Sequence, residues 1–274
     1  MILAAALLFS TGGAAIKATA LTNWQVASFR SLVAAAALLL FIPASRQLRH
    51  TRVWVPALAF AVTMVLFVTA NKLTTSANAI FLQSTAPLYL LLVGPWLLKE
   101  PIRRSDLAFM AVLAAGLSLF FLGTERSAIT APDPGAGNVL AVISGVTWAL
   151  TVAGLRWTAR REAGDLTMAT VVAGNILAFV ACLPMALPVE QASLKDAALI
   201  GYLGIIQIAL AYLCISRGIR HVPALEASSL LLVEPVLNPV WAWMIHGEQP
   251  SAWALAGGAL IVLATLVKSR TGGT

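Results

Sequence analysis

Long stretches without a charged side chain constrain this chain more than any other feature of its sequence. Nine of them are candidates to cross a lipid bilayer, which takes about 20 helical residues. A tenth stretch, around residues 224–245, is equally apolar but contains Glu226 and Glu234. The nine uncharged stretches are residues 2–16, 31–45, 53–71, 73–98, 107–124, 134–155, 166–189, 197–216 and 250–267.

The length of the chain leaves room for these segments and for little else. Ten spans of about 20 residues use roughly 200 of the 274 residues. Only 11% of the residues are charged, whereas about a quarter are charged in a water-soluble domain. The stretches also lack the strict alternation of membrane β-strands. The sequence therefore predicts an all-α, polytopic membrane protein with ten transmembrane helices and no soluble domain.

The first apolar segment has a second interpretation as a cleaved signal peptide. Ala18, Thr19 and Ala20 provide small residues of the kind found at a cleavage site. However, no basic residue of the kind found in a signal-peptide n-region precedes the apolar run, and Lys17 stands directly before the supposed site. We therefore expect the segment to remain as the first helix.

Lysine and arginine are distributed unevenly between alternate connections. Thirteen fall in the loops and tail on one side of a ten-helix chain and four on the other, with Arg30 inside a span. Because short cytoplasmic loops are rich in basic residues, we expect both termini to be cytoplasmic, in a cell membrane that we take to be a bacterial inner membrane. The net charge of +7 then reflects topology, and we expect no nucleic-acid partner.

The two halves of the chain share a pattern at an offset of 148 residues. This offset places Pro87 on Pro235 and Glu100 on Glu248, near the end of one apolar segment and the start of the next. Because five helices separate the copies, corresponding helices cross in opposite directions. The sequence thus predicts an inverted repeat, with helices 1–5 in residues 1–124 and helices 6–10 in residues 134–268.

Short motifs recur in order along both halves. The first half contains Phe29 and Arg30, the run from Thr75 to Ala77, Pro87, and Lys99 with Glu100; the second contains Thr147 to Ala149, Glu234 with Pro235, and Gly247 with Glu248.

This order resembles the EamA repeat of the drug/metabolite transporter superfamily, and it is most similar to the YddG-type amino-acid exporters. The resemblance covers nearly the whole chain and implies outward transport of amino acids. The first helix departs from the family pattern, because residues 9–13 lack its aromatic-glycine step with tryptophan.

Two prolines and one carboxylate indicate where a solute would bind. Pro87 and Pro235 each remove a backbone hydrogen bond and are expected to bend their helices at matching positions, which points to a central site. Glu234 lies near the bilayer midplane, where a carboxylate must face water, bind a cation or be protonated. Asn238 and Trp241 follow it on one helical stripe. A structural glutamate beside a loosened backbone remains the alternative.

Other polar or aromatic residues fall within spans, where they either line a path or pack between helices. Arg30 is a candidate for a structural ion pair or carbonyl contact, with binding of a substrate carboxylate as the alternative. The full set of candidate substrate-binding residues is Asn78, Gln83, Tyr89, Trp148, Gln207, Tyr212, Glu234, Asn238 and Trp241.

The inverted repeat, the paired bends and the polar groups near the midplane favour a secondary transporter of amino acids, including neutral and aromatic ones, or similar small metabolites, which works by alternating access. The resemblance implies that transport is outward. Protons are a candidate coupling ion through Glu234, and passive facilitation is equally compatible with the sequence. We expect no catalytic residue, cofactor or metal, and a monomer surrounded by lipid. An intramembrane enzyme is one alternative, although no catalytic motif is present and all three histidines lie near segment ends. A non-transporting assembly subunit is the other.

Overall fold

The computed structural model describes residues 1–99, 104–120, 131–159, 166–247 and 252–271, and within these ranges it contains helices and no β-strand. The α-helices are α1 (Ile2–Ser10), α2 (Gly12–Ala18), α3 (Asn23–Phe41), α4 (Trp54–Leu73), α5 (Ser76–Gln83), α6 (Ala86–Leu97), α7 (Arg104–Phe120), α8 (Pro134–Ala159), α9 (Thr167–Ala186), α10 (Leu194–Tyr202), α11 (Ala211–Gly218), α12 (Ala224–Leu230), α13 (Val233–His246) and α14 (Ala252–Thr271).

Seven helical runs in the described ranges are long and apolar enough to cross a membrane. Two shorter apolar helices, Ile2–Ala18 and Asp106–Gly116, accompany them. The prediction of an all-helical, multi-pass membrane protein is therefore confirmed, whereas the count of ten crossings stays a prediction. The seven runs are Asn23–Phe41, Thr51–Leu73, Ser76–Leu97, Pro134–Ala159, Thr167–Ala186, Leu194–Gly218 and Ala224–His246.

Polar side chains cap the helices that start at one end of the bundle. Thr22 and Gln25 form a capping box at the start of α3, and Ser193 and Asp196 form another at the start of α10. Such caps satisfy the first backbone N–H groups, which have no partner inside the helix. Asp196 also accepts a hydrogen bond from the backbone N–H of Ala20 at 2.8 Å, which ties the two connections together.

We call this end the Lys72 end and define it by Lys17, Lys72, Thr74 and Asp196. Lys72 Nζ donates to the carbonyl oxygen of Thr19 at 2.8 Å, and Lys17 Nζ donates to that of Thr74 at 2.9 Å. The basic side chains thus bind the free carbonyls where α2 and α4 end.

The opposite end, which we call the Arg156 end, is defined by Ile2, Pro56, Arg156 and Ile219. There Arg156 Nη1 donates to the backbone oxygen of Ile219. A Cβ on Gly154 would lie 2.6 Å from Cβ of Pro56, so α8 and α4 approach each other more closely than a larger residue would allow.

The two runs that contain Pro87 and Pro235 are oriented in opposite directions. Ser76–Leu97 begins beside Thr74, at the Lys72 end. Ala224–His246 ends at the Lys72 end. Nε2 of its last residue, His246, lies 2.9 Å from the backbone oxygen of Ala14. Ala14 is in α2, the helix that leads to Thr19 at the Lys72 end. An inverted repeat requires opposite directions for these two runs, and the repeat itself stays a prediction. Glu100 and Glu248, which also supported the repeat, lie outside the described residues.

Four of the helical runs are interrupted partway through. Breaks occur at Thr11 between α1 and α2, at residues 84–85 between α5 and α6, and at residues 231–232 between α12 and α13. The fourth irregularity is a π-helical segment, Leu203–Leu210, between α10 and α11. Irregular backbone inside a membrane is tolerated where protein or a cavity surrounds it. Ser84, Gln207 and Leu231, which lie in three of these segments, line the central cavities described below.

Candidate functional site

The breaks beside Pro87 and Pro235 follow from the chemistry of proline. Proline lacks an N–H and collides with the carbonyl four residues earlier, so a helix that meets it tends to stop. Pro87 is the second residue of α6 and Pro235 the third residue of α13, positions where the missing N–H needs no helical partner. Each proline thus stands in the first turn of a new helix, and the bend expected from the sequence takes the form of an interruption.

The interrupted runs meet around a small central cavity of about 20 Å³, which is space for about one water molecule. Six residues singled out from the sequence line it, together with Phe9, Met64, Phe67 and Ile208. The six are Arg30, Gln83, Trp148, Gln207, Tyr212 and Glu234.

A second cavity, of about 10 Å³, lies against the first. Gln83, Trp148 and Glu234 line both cavities, so these three side chains separate them. Pro87 and Ser228 also border the second cavity. The two proline breaks are thereby placed directly beside the cavity wall.

Four aromatic rings pack together on the side of the cavity nearer the Arg156 end. The ring centroid of Tyr212 lies 4.8 Å from that of Phe60, 5.1 Å from Phe9 and 6.4 Å from Trp148. These separations are typical of attractive edge-to-face and tilted pairs. The aromatic cluster, defined as Phe9, Phe60, Trp148 and Tyr212, therefore closes the cavity on this side with apolar contacts.

The other side of the cavity is closed by amide side chains that crowd two glycines of α2. A Cβ on Gly13 would lie 2.8 Å from Nδ2 of Asn238 and 3.1 Å from Oδ1 of Asn71, and one on Gly12 would lie 2.7 Å from Nε2 of Gln207. We call Asn71, Gln207 and Asn238 the amide cluster.

The amide cluster is buried without a full set of hydrogen bonds. Asn238 has 0% of its surface exposed, and neither its oxygen nor its nitrogen has a partner in the described structure. Oδ1 of Asn71 and Oε1 of Gln207 are likewise unpaired among the described residues. A buried amide atom left unpaired costs about 1–3 kcal/mol. The amide cluster is therefore closely packed but less stable than a fully hydrogen-bonded cluster would be.

Gln83 joins the broken run α5–α6 to α8. Its Nε2 donates to Oγ of Ser144 at 2.7 Å. Gly145 follows Ser144, and a Cβ there would lie 3.0 Å from the carbonyl oxygen of Leu82 and 3.1 Å from that of Gln83. The glycine thus lets α8 approach the backbone that Pro87 leaves outside regular helix.

Glu234 is the only carboxylate in the cavity lining of the described residues. It is 8% exposed, and within the described chain it forms neither a hydrogen bond nor an ion pair through its side chain. An ionised carboxylate in such a position is costly unless water, a cation or a proton compensates its charge. Its position therefore suits a group that binds a charged partner only transiently.

Arg30 lies on the same cavity and is 1% exposed. Its Nη2 donates to the backbone oxygen of Met64 at 3.2 Å, whereas Nε has no partner in the described structure. The contact with Met64 is a carbonyl contact of the kind considered from the sequence. No acidic side chain of the described ranges forms the ion pair that was the other structural possibility.

Four of the nine candidate substrate-binding residues do not line either cavity among the described residues. Nε1 of Trp241 donates to Oγ of Ser10 at 3.0 Å, closer to the Lys72 end. Asn78 and Tyr89 are half-buried on the broken run, and neither they nor Asn238 appears in the cavity lining of the described residues. Sequence reasoning missed Phe9, Phe60, Met64, Phe67, Asn71 and Ser144. Of these, only Asn71 carried a signal, as a lone amide at the end of an uncharged stretch.

A family model describes both halves of the chain. The EamA-like transporter family model matches residues 1–122 and again residues 135–270. The chain belongs to the EamA-like transporter family. Arg30 and Gln83 come from the first EamA match, and Trp148, Gln207, Tyr212 and Glu234 from the second, so the cavity lies where the two matched halves meet.

Three relatives and one solved structure are similar to the chain. The uncharacterized transporters YwfM and YdfC of Bacillus subtilis are both 27% identical, over 98% and 88% of this chain and 92% and 80% of their own. The pseudopaline exporter CntI of Pseudomonas aeruginosa is 31% identical over 83 residues, which span 30% of this chain and only 29% of the exporter. A solved protein crystal structure superimposes with a TM-score of 0.74 at 20% identity, covering 98% of this chain and 95% of its own, and shows a shared fold.

Proposed function

We propose that the chain is a secondary transporter that moves amino acids, or similar small amphipathic metabolites, outward by alternating access. The observation that carries this proposal is the cavity between the two EamA-matched halves, with a proline-interrupted helical run from each half at its wall. Substrate sites of many secondary transporters lie at such an interface between repeats and are formed by discontinuous helices.

The proposed topology has ten helices in two inverted repeats, residues 1–124 and 134–268, with both termini in the cytoplasm of a bacterial inner membrane. The opposite directions of Ser76–Leu97 and Ala224–His246 support the inversion. In this topology the Lys72 end faces outward and the Arg156 end faces the cytoplasm. We further propose that one copy of the chain suffices for transport, because both halves of the cavity come from the same chain.

We assign the structure to a state of the proposed cycle in which the central cavity is constricted. The aromatic cluster and the amide cluster lie on opposite sides of a cavity with space for about one water molecule, which is too small for an amino acid. Opening one side at a time would admit solute from one compartment and release it to the other. Because the two closures consist of different residues, each can loosen while the other holds.

Neutral amino acids, aromatic ones included, are the proposed substrates, as in the YddG-type exporters that the sequence resembles. Phe9, Phe67, Trp148 and Ile208 offer an apolar wall to a substrate side chain.

Outward direction is supported by the local similarity to an exporter from Pseudomonas aeruginosa. Proton coupling is proposed to act through Glu234, which lines the cavity together with Arg30 and Tyr212.

The experiment that tests the function is a flux assay on the purified chain in liposomes. Each of the twenty amino acids is offered as a labelled solute, with and without an imposed proton gradient. We expect accelerated flux for neutral and aromatic amino acids compared with empty liposomes. A Trp148→Ala variant should lose most of this flux, whereas Trp96→Ala, which changes a ring that is 90% exposed, should retain it. Folded protein that moves none of the twenty would contradict the proposal.

A further inference from the structure

Two opposite charges face the same small cavity without being joined to each other. Arg30 and Glu234 both line the central cavity, both are at least nine-tenths buried, and no ion pair links them or ties either to another charged residue of the described chain. Buried charges are ordinarily paired, since an uncompensated one costs several kcal/mol. The arrangement leaves one positive and one negative group available to a solute.

The hydroxyl of Tyr212 belongs to the lining of the same cavity as the two charged groups. It is buried and has no hydrogen-bond partner among the described residues. A hydroxyl both donates and accepts hydrogen bonds, so it can contact either charged end of a bound molecule. Together with Nε of Arg30 and the carboxylate of Glu234, it makes three neighbouring polar groups that lack protein partners.

We propose that Arg30 and Glu234 recognise the two charges of an α-amino-acid zwitterion, the carboxylate at Arg30 and the ammonium at Glu234. This inference rests on the proposed transport function and specifies its site. The guanidinium fork matches a carboxylate, and the carboxylate of Glu234 accepts hydrogen bonds from an ammonium. The apolar wall of the cavity leaves the substrate side chain in contact with Phe9, Trp148 and Ile208.

The position of each charge sets the orientation of the bound molecule. Arg30 is the eighth residue of α3, roughly 10 Å from the Lys72 end, whereas Glu234 begins the second part of a run that starts at the Arg156 end. The substrate carboxylate therefore points toward the Lys72 end. The cavity must widen to admit it, which requires the aromatic or the amide cluster to separate.

The test compares three ligands that differ by a single charged group. Leucine carries both charges, leucinamide lacks the carboxylate, and N-acetyl-leucine lacks the ammonium. Their affinities are measured as the concentrations that inhibit flux of a labelled neutral amino acid, with thermal shift of the purified protein as a second readout. For the unmodified chain we expect leucine to bind roughly 10- to 100-fold more tightly than either analogue, as is typical of charge-assisted hydrogen bonds.

Each variant should lose the preference for leucine over one of the two analogues and keep the preference over the other. Arg30→Gln should bind leucine and leucinamide equally but still reject N-acetyl-leucine, and Glu234→Gln should show the reverse pattern. Arg30→Lys, which keeps the charge without the fork, should retain part of the preference for leucine over leucinamide. Arg156→Gln and Glu226→Gln are matched controls, since Arg156 is a buried arginine bonded to a backbone carbonyl and Glu226 lies on α12, and neither lines the cavities.

The outcomes separate the inference from the function on which it rests. If the unmodified chain transports amino acids but a folded Arg30→Gln or Glu234→Gln variant keeps both discriminations, the assignment of the two charges is wrong and transport stands. If the unmodified chain accepts the analogues as well as leucine, the zwitterion is not what it recognises. If no amino acid is bound or moved, the proposed function and the inference both fail.

Discussion

Glu234 is buried, lines the central cavity and has no side-chain partner in the described structure, so water, a cation or a proton has to compensate its charge. A proton and a substrate ammonium group are alternatives at the same carboxylate. If each leaves when the other binds, inward movement of protons is linked to outward movement of solute.

Replacing Glu234 by glutamine tests this linkage. Glutamine does not take up a proton at the pH values of a transport assay. We therefore expect a pH gradient to have no effect on the residual flux of Glu234→Gln at saturating solute. Flux is measured in liposomes with the interior acidic, neutral or alkaline relative to the exterior. Glu226→Gln, on α12, is the control and should respond to the gradient as the unmodified chain does. Full gradient dependence in Glu234→Gln would rule out a coupling role for this residue.

Gly13 allows a different prediction at the scale of one residue. Its missing side chain leaves room for the buried amide of Asn238, so Gly13→Ala must displace that amide or separate α2 from α13. We expect a loss of about 1–3 kcal/mol in the free energy of unfolding, as in other overpacked cores. Gly201→Ala is the control, since nothing lies within 4 Å of a Cβ there. It should raise the stability by up to about 1 kcal/mol through helix propensity. Thermal unfolding in detergent compares the two, and equal melting temperatures would contradict the packing described.

At the scale of helices, the sequence predicted some interruptions and missed others. Pro87 and Pro235 could be identified because proline alters the backbone wherever it occurs. The π-helical segment Leu203–Leu210 could not, because no residue type marks it and its hydrogen bonds depend on the neighbouring helices. The break at Thr11 was likewise missed.

The same contrast applies to the candidate site. Gln83, Gln207 and Glu234 were found because a polar group inside an apolar stretch is conspicuous. Phe9, Phe60 and Phe67 were missed, since one phenylalanine in an apolar helix resembles any other until the helices are packed together. Asn78 and Tyr89 show the opposite error. Both were expected to contact the substrate, but neither lines a cavity among the described residues.

Removal of Pro87 tests the importance of the interruption between α5 and α6. In Pro87→Ala the backbone regains an N–H, so the two helices can join across residues 84–85. We expect the free energy of unfolding to rise, by up to about 3 kcal/mol, and the rate of transport to fall, because a continuous helix lacks the local freedom of the break. Pro95→Ala changes a proline inside α6 that does not border either cavity, and should leave the transport rate unaltered. Faster transport by Pro87→Ala would contradict the proposed role of the break.

At the scale of the whole molecule, the proposed topology places the two ends of the bundle in different compartments. In a chain whose Cys182 and Cys214 have been replaced, single cysteines are introduced at Lys195 and Arg49, both exposed. A membrane-impermeant thiol reagent applied to intact cells should label Lys195→Cys and not Arg49→Cys. Permeabilised cells should show both labelled. Labelling of both in intact cells, or of Arg49→Cys alone, would contradict the proposed orientation.

The two closures of the cavity differ in chemistry, since one consists of aromatic rings and the other of amides. Water that enters beside rings is less unfavourable in the cold, because hydrophobic association weakens on cooling. The carrier should therefore have a temperature-dependent resting orientation, and chilling should shift its population toward the form accessible from the Arg156 end. In the proposed topology, cooling a cell would therefore raise the fraction of transporter molecules that are open to the cytoplasm, while the total number of molecules stays the same.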